Sequence, residues 1–286
     1  MNSDIRYQPL TPALGVEVLG LELRRIDESQ FKQLRHLWHQ YKAVFIRDQD
    51  IDLDDLLDFS RRFGTLMKLP YITPFEGYPE IIRVLKEADE INMGTFGGDW
   101  HSDFSFLEVP PMASILYAEE VPAVGGDTLW IDMTLALKAL PKSLLGKLQG
   151  RRAIHTGAPY GVKNAPESET QFKGSIEIAR NNPEADRKTL HPVICRHPET
   201  GESALFVNPT YTTGIEGYSD DEATLILRQV FAHCSKPEYG CRFHWQTGSI
   251  ALWDNRNTLH YAVNDYDGHR RCLYRTTIAS TTPPAE

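Results

Sequence analysis

The sequence predicts a mostly β fold with flanking helices, a double-sheet barrel or jelly roll, on three observations. From Ile81 onward the apolar residues fall into short runs rather than long amphipathic stretches. Gly and Pro turns separate these runs. Helical periodicity is confined to the segment before Gly64 and to two later interruptions, so the regular βα alternation of a parallel sheet is missing.

Taken in order, Asp27 is placed to cap a helix that carries Phe31, Leu34, Trp38 and Tyr41 at helical spacing, and Ala43 to Ile46 then reads as a buried strand. Asp52 opens a second helix through Leu53, Leu56, Leu57, Ser60 and Phe63, with Gly64 expected as its left-handed cap. Strands are expected at Ile81 to Val84, Ala113 to Ala118, Thr128 to Ile131, Leu205 to Val207, Ile250 to Trp253 and Cys272 to Ile278. Residues 133 to 149 read as a helical pair split at Pro141, and Ser219 to Glu222 is a capping box opening a helix towards Cys234. The polar, weakly periodic stretch from Thr156 to Lys188 is expected to be a lid or binding loop. There is no internal repeat and no boundary signal, so residues 1 to 286 are read as one domain.

Hydrophobic residues make up 41% and charged residues 24%, which excludes collagen-like, coiled-coil and disordered classes. The net charge of -9, without long basic runs, argues against a nucleic-acid partner. Cys195, Cys234, Cys241 and Cys272 form no CxxC pair, so free thiols in a reducing compartment are expected. The first residues lack signal-peptide character, and no apolar run approaches the ~20 residues of a membrane span. The expectation is a cytoplasmic protein.

The sharpest local signal is Trp100-His101-Ser102-Asp103-Phe104. In an extended segment, positions two apart share a face, which aims an imidazole and a carboxylate at one point. An HxD pair alone is weak evidence. A third ligand is offered by His260, at the end of a strand pattern after Trp253-Asp254-Asn255-Arg256. Two His and one carboxylate on one face of an octahedral iron leave three positions open, enough for a bidentate cosubstrate and oxygen. His36 and His39 lie on a helix, and His191, His197, His233, His244 and His269 have no carboxylate partner at usable spacing, so all seven read as structural. Near the C-terminus, strand parity puts Arg271 and Arg275 on one face and Arg270 on the other. Two inward guanidinium groups require anions, which either substrates or protein carboxylates can supply.

Together with Gly15 to Val18, Val44 to Gln49, Phe63-Gly64 and Gly125-Gly126-Asp127-Thr128, these motifs occur in an order that resembles the taurine dioxygenase and 2,4-dichlorophenoxyacetate dioxygenase family of iron(II)/2-oxoglutarate enzymes. The likeness covers nearly the whole chain. It implies a distorted double-stranded β-helix, with iron(II) held by His101, Asp103 and His260. It also implies that Arg271 and Thr128 clamp the distal carboxylate of 2-oxoglutarate, that Arg275 holds an anionic prime substrate, and that Phe104 and Trp253 wall the site. The implied reaction consumes O2, releases succinate and CO2, and oxidises a small molecule. A homodimer or homotetramer is also implied.

The likeness does not extend to taurine as substrate. Met67-Lys68-Leu69-Pro70 lacks the taurine-contacting histidine, Phe96-Gly97-Gly98-Asp99 lacks the asparagine, and Lys68 is the alternative helper for an anion. Two other classes compete with the dioxygenase reading: a non-catalytic metal or small-molecule-binding barrel of the same fold, and a zinc hydrolase using the same three ligands.

Overall fold

The computed structural model describes residues 4–162 and 174–286. Residues 163–173, the middle of the expected lid, lie outside that range. In chain order the strands are β1 (Arg6–Pro9), β2 (Val16–Leu19), β3 (Ala43–Ile46), β4 (Ile81–Lys86), β5 (Ala113–Glu120), β6 (Thr128–Asp132), β7 (Arg152–His155) and β8 (Thr189–Pro192). They continue as β9 (Ile194–Arg196), β10 (Ser203–Leu205), β11 (Thr212–Ile215), β12 (Gly240–Phe243), β13 (Ile250–Asp254), β14 (Thr258–Ala262) and β15 (Arg271–Ile278). The α-helices are α1 (Glu28–Tyr41), α2 (Leu53–Arg61), α3 (Met133–Lys138), α4 (Lys142–Leu148) and α5 (Asp220–Cys234).

A seven-stranded sheet in the order β1-β2-β3-β13-β5-β15-β4 forms one layer, antiparallel except where β2 runs parallel to β3. Strand parity decides what each of its faces covers. Val44, Ile46, Leu252, Cys272 and Tyr274 pack with Phe31, Leu34, Trp38, Leu56 and Phe59 of α1 and α2. Ala43, Phe45, Ala251, Trp253 and Leu273 turn the other way, into a core shared with Trp130, Phe243 and Trp245. The second layer is the antiparallel sheet β12-β6-β14. Around it, α3, α4 and α5 pack with β7, β10 and β11 over a third apolar cluster that includes Ile131, Val207, Ile226 and Val230. The result is a β-rich molecule with helices on its outside.

The helix starts follow the sequence closely. Asp27, Asp52 and Ser219 each complete a reciprocal capping box, and Pro141 separates α3 from α4. Gly64 does not act as the expected cap. Helix α2 stops at Arg61, whose following residue stays right-handed, and Phe63 N–H closes a turn on Ser60 O. Gly64 instead permits close approach, since a β-carbon there would lie 3.2 Å from Ile278 Cγ2. The strand expected at Leu205 to Val207 ends at Leu205. Strands β1, β2, β7, β8, β9, β11 and β12 had no predicted counterpart; each is only three or four residues long, too short for alternation to mark it.

Candidate metal centre and cosubstrate pocket

His260 lies in the middle of β14, not at the end of a strand. Across from it, His101 forms an isolated antiparallel bridge in which each residue's N–H donates to the other's carbonyl, at 3.1 and 2.8 Å. Directly opposed residues of an antiparallel pair put their side chains on one face. The two imidazole rings are accordingly 4.0 Å apart. The chain leaves the extended path immediately after this bridge, and Asp103 opens a turn in which Phe104 adopts φ 46°. The same-face argument for an extended His-x-Asp thus gives the right convergence by a different route, a bridge followed by a turn.

Asp103 Oδ1 lies 3.5 Å from His101 Nε2 and 3.7 Å from His260 Nε2, too far for strong hydrogen bonds. Two donors that each sit about 2.1 Å from one cation lie no more than ~4.2 Å apart, so the spacing fits a shared metal ion. Protonation fits as well. His101 Nδ1 is 2.7 Å from Asp99 O, which places the hydrogen on Nδ1 and leaves Nε2 with its lone pair. Burial, and then His101, hold the His260 pKa well below its ordinary value and keep that ring neutral. For Asp103, burial opposes charge, but Arg275, His260 and His101 outweigh it and hold the carboxyl well below the usual carboxylate range. All three side chains are buried.

The other oxygen of Asp103 is spoken for. Oδ2 accepts from Arg275 Nη2 at 2.6 Å and from Ser114 Oγ at 2.8 Å. Ser114 in turn accepts from Asn255 Nδ2, and Asn255 Oδ1 accepts from the Trp253 indole at 2.9 Å. The Trp253-Asp254-Asn255-Arg256 motif therefore supports the site from behind, with the Trp253 ring 4.7 Å from that of His260.

On β15, Arg271 and Arg275 are both buried, whereas Arg270 turns outward to Glu87 and Glu120. Arg271 donates through Nε to Gly126 O, and burial lowers its pKa, offset in part by Tyr266 and Asp127. Among the described residues no carboxylate pairs with it at ion-pair distance. Thr128 stands on β6 opposite Ala262, two residues beyond His260 on the neighbouring strand. Its Oγ1 accepts from the Trp245 indole at 3.0 Å, so its own O–H remains free to donate elsewhere. A cavity of about 670 Å³ opens over His101, Asp103 and Phe104, bordered by Phe96, Tyr160 and Tyr211.

The family model described as "Taurine catabolism dioxygenase TauD, TfdA family" matches residues 6–277. The chain belongs to this family. It is therefore an α-ketoglutarate-dependent dioxygenase, and its buried His-Asp-His triad implies iron(II) with 2-oxoglutarate. The TauD/TfdA relatives differ in what their names say they act on. An α-ketoglutarate-dependent sulfate ester dioxygenase of Pseudomonas putida is 30% identical, over 98% of this chain and 91% of its own. Pentalenolactone F synthase of Streptomyces avermitilis is 32% identical, over 96% and 93%. A crystal structure from Burkholderia xenovorans, described as a putative α-ketoglutarate-dependent taurine dioxygenase, is 32% identical, superposes with a TM-score of 0.81 and covers 98% of this chain and 94% of that one.

Several parts of this candidate site were not legible in the sequence. Ser114, Trp245, Tyr160, Tyr211 and Tyr266 carry no local motif and meet the site only through tertiary packing. Three histidines read as structural do gain carboxylates: His39 sits 3.3 Å from Glu199, His197 2.9 Å from Asp254 and His244 2.8 Å from Asp127. None of them gathers a third ligand among the described residues. All four cysteines are free and buried, and among the described residues no helix is long and apolar enough to cross a membrane.

Proposed function

We propose that the chain oxidises, by hydroxylation, a small organic anion, with His101, Asp103 and His260 holding iron(II), and with Arg271 and Thr128 holding the distal carboxylate of 2-oxoglutarate. When bound, the iron supplies oxidative decarboxylation of 2-oxoglutarate with O2, giving succinate and CO2 and an oxidising equivalent for a C–H bond. The observation that carries this reading is the combination of a buried guanidinium that meets no carboxylate among the described residues with a hydroxyl whose acceptor side is already occupied by Trp245. An arginine buried in this way wants an anion, and a dianionic 2-oxo acid provides one. The two facing, largely antiparallel sheets support a distorted double-stranded β-helix as the architecture. The four unpaired cysteines support a cytoplasmic setting.

Arg275 has two roles in this proposal. Its Nη2 neutralises Asp103, and its Nε has no partner among the described residues. Arg275, Lys68 and Thr277 line a cavity of about 140 Å³, and the Thr277 hydroxyl is likewise buried without a partner among the described residues. These donors suit the anionic head of the prime substrate, while Trp253 and Phe104 exclude water from the reacting end.

Anaerobic titration of the iron(II) protein with 2-oxoglutarate, followed by its charge-transfer absorption, tests the clamp. Loss of one bidentate charge-assisted contact in Arg271→Leu should weaken binding by about 1.5–3 kcal/mol, against under ~0.5 kcal/mol for Arg270→Leu. Equal effects would remove Arg271 from the clamp. A screen of sulfate esters, sulfonates, phosphonates and carboxylates for stimulated succinate formation tests the substrate class, and a best substrate without charge would end the anion reading.

A further inference from the structure

Two aromatic rings reach the metal-facing cavity from separate parts of the chain and meet at their polar ends. Tyr160 closes a short 3-10 turn and is stacked between Tyr71 (centroids 5.2 Å apart, 14° between planes) and Phe104 (5.9 Å, 5°). Tyr211 has its N–H held by Asn208 Oδ1, and its ring rests against Phe106 at 5.0 Å and edge-on to His101 at 6.3 Å. Both residues are only 4% exposed. The hydroxyl oxygens are 3.4 Å apart, and neither has another hydrogen-bond partner among the described residues.

Hydrogen accounting makes this pair unusual. Two phenols bring two O–H donors, and at most one of them is used in the contact between them. That contact is longer than the 2.5–3.0 Å of a good O–H···O bond, so even the used donor is poorly satisfied. A buried donor left unsatisfied is costly, and such groups call for an explanation. A phenol is a neutral donor at neutral pH, since its ordinary pKa is about 10.

We infer that Tyr160 and Tyr211 form an uncharged donor pair that fixes the prime substrate by taking one of its oxygen acceptors, from a sulfate, carboxylate or ester group, between their two hydroxyls. This rests on the proposed reading of the substrate as a small oxygen-bearing anion. Charge at Arg275 attracts the anion, and the two fixed phenols orient it, so the carbon to be oxidised is held towards His101 and Asp103. Because the pair shares its work, loss of either hydroxyl leaves the other donor in place.

The test is a double-mutant cycle with Tyr160→Phe, Tyr211→Phe and the double variant. Protein loaded with iron(II) and 2-oxoglutarate is titrated anaerobically by calorimetry with hexyl sulfate, phenoxyacetate and hexanoate, and the tightest of the three is carried through the cycle. Each single variant should weaken that probe by about 3- to 5-fold, and the double variant by more than ~30-fold, beyond the product of the singles. Affinity for 2-oxoglutarate should stay within about twofold, and the urea midpoint without probe should hold or rise, since phenylalanine removes a poorly paired buried hydroxyl. Unchanged probe affinity in the double variant, where Arg275→Ala still weakens it, overturns the donor pair and leaves the anion reading standing. A parallel fall in 2-oxoglutarate affinity and stability also overturns it, because the hydroxyls would then be structural. If none of the three probes binds the wild type, the donor pair and the anion reading fall together.

Discussion

One stretch of chain, from β13 into β14, supports two buried charge clusters with opposite logic as it crosses from one sheet to the other. Around Asp254, every charged group has a partner. Arg256 donates to Asp254 at 2.6 and 2.8 Å and to Glu199 at 2.8 Å, His197 meets the same Asp254 carboxylate, and Arg35 reaches Glu199. Burial disfavours the charge on Asp254, but Arg256 and His197 outweigh it and hold its carboxyl below the usual range. Six residues further on, the cluster at His260 is incomplete. Among the described residues, His260 Nδ1 and Arg275 Nε have no partner, the two imidazole Nε2 atoms point at a shared carboxylate oxygen without bonding it well, and Arg271 meets no acid. A closed network stabilises its surroundings, whereas an open one of the same residue types keeps its capacity for ligands.

The comparison can be broken most severely at Asp103. Asp103→Ala should abolish iron binding and lower turnover by more than ~10³-fold, because a ligand is lost from a three-ligand site. It should also destabilise the metal-free protein by about 3–5 kcal/mol, since Arg275 then keeps a buried charge with no counter-ion. Metal titration and urea unfolding measure the two effects separately, and native iron affinity in this variant would remove Asp103 from the site. Asp254→Ala is the matched experiment on the closed cluster. It should cost a similar ~3–5 kcal/mol in urea while the folded fraction keeps wild-type affinity for 2-oxoglutarate. A large drop in that affinity would show that the two clusters are one.

A third test concerns acid stability. His155 is fully buried between Ser105 and His191, and burial lowers its pKa to about 3. Its folded pKa lies below the unfolded value near 6.5, so in between the unfolded chain binds a proton that the native chain refuses. Stability is then full above pH 6.5 and falls as pH drops from there towards 3. Between pH 7 and pH 5 this one group should remove about 2 kcal/mol, and His155→Asn should flatten that part of the urea-midpoint profile. An unchanged slope would mean that His155 accepts its proton in the folded state. The smallest effect is expected at Trp245. Replacing it with Phe removes the donor that turns the Thr128 hydroxyl, and should weaken 2-oxoglutarate by about 1 kcal/mol in the charge-transfer titration with little change in iron affinity.

The sequence by itself determined the local chemistry. Capping boxes at Asp27, Asp52 and Ser219, the break at Pro141 and the parity that separates Arg270 from Arg271 and Arg275 each depend on residues within a few positions of one another. The His-x-Asp motif was legible for the same reason, and His260 became legible through the order of the family's motifs. What only the tertiary structure decided depends on distant partners. The bridge that sets His101 opposite His260, the use of Arg275 as a counter-ion for Asp103, the seating of Thr128 under Trp245 and the meeting of Tyr160 with Tyr211 all join residues from separate strands and loops. No periodicity in the chain encodes such pairings. Spacing fixes which face a side chain takes, but the hydrogen-bond partner it finds there depends on how the two sheets and their loops pack together.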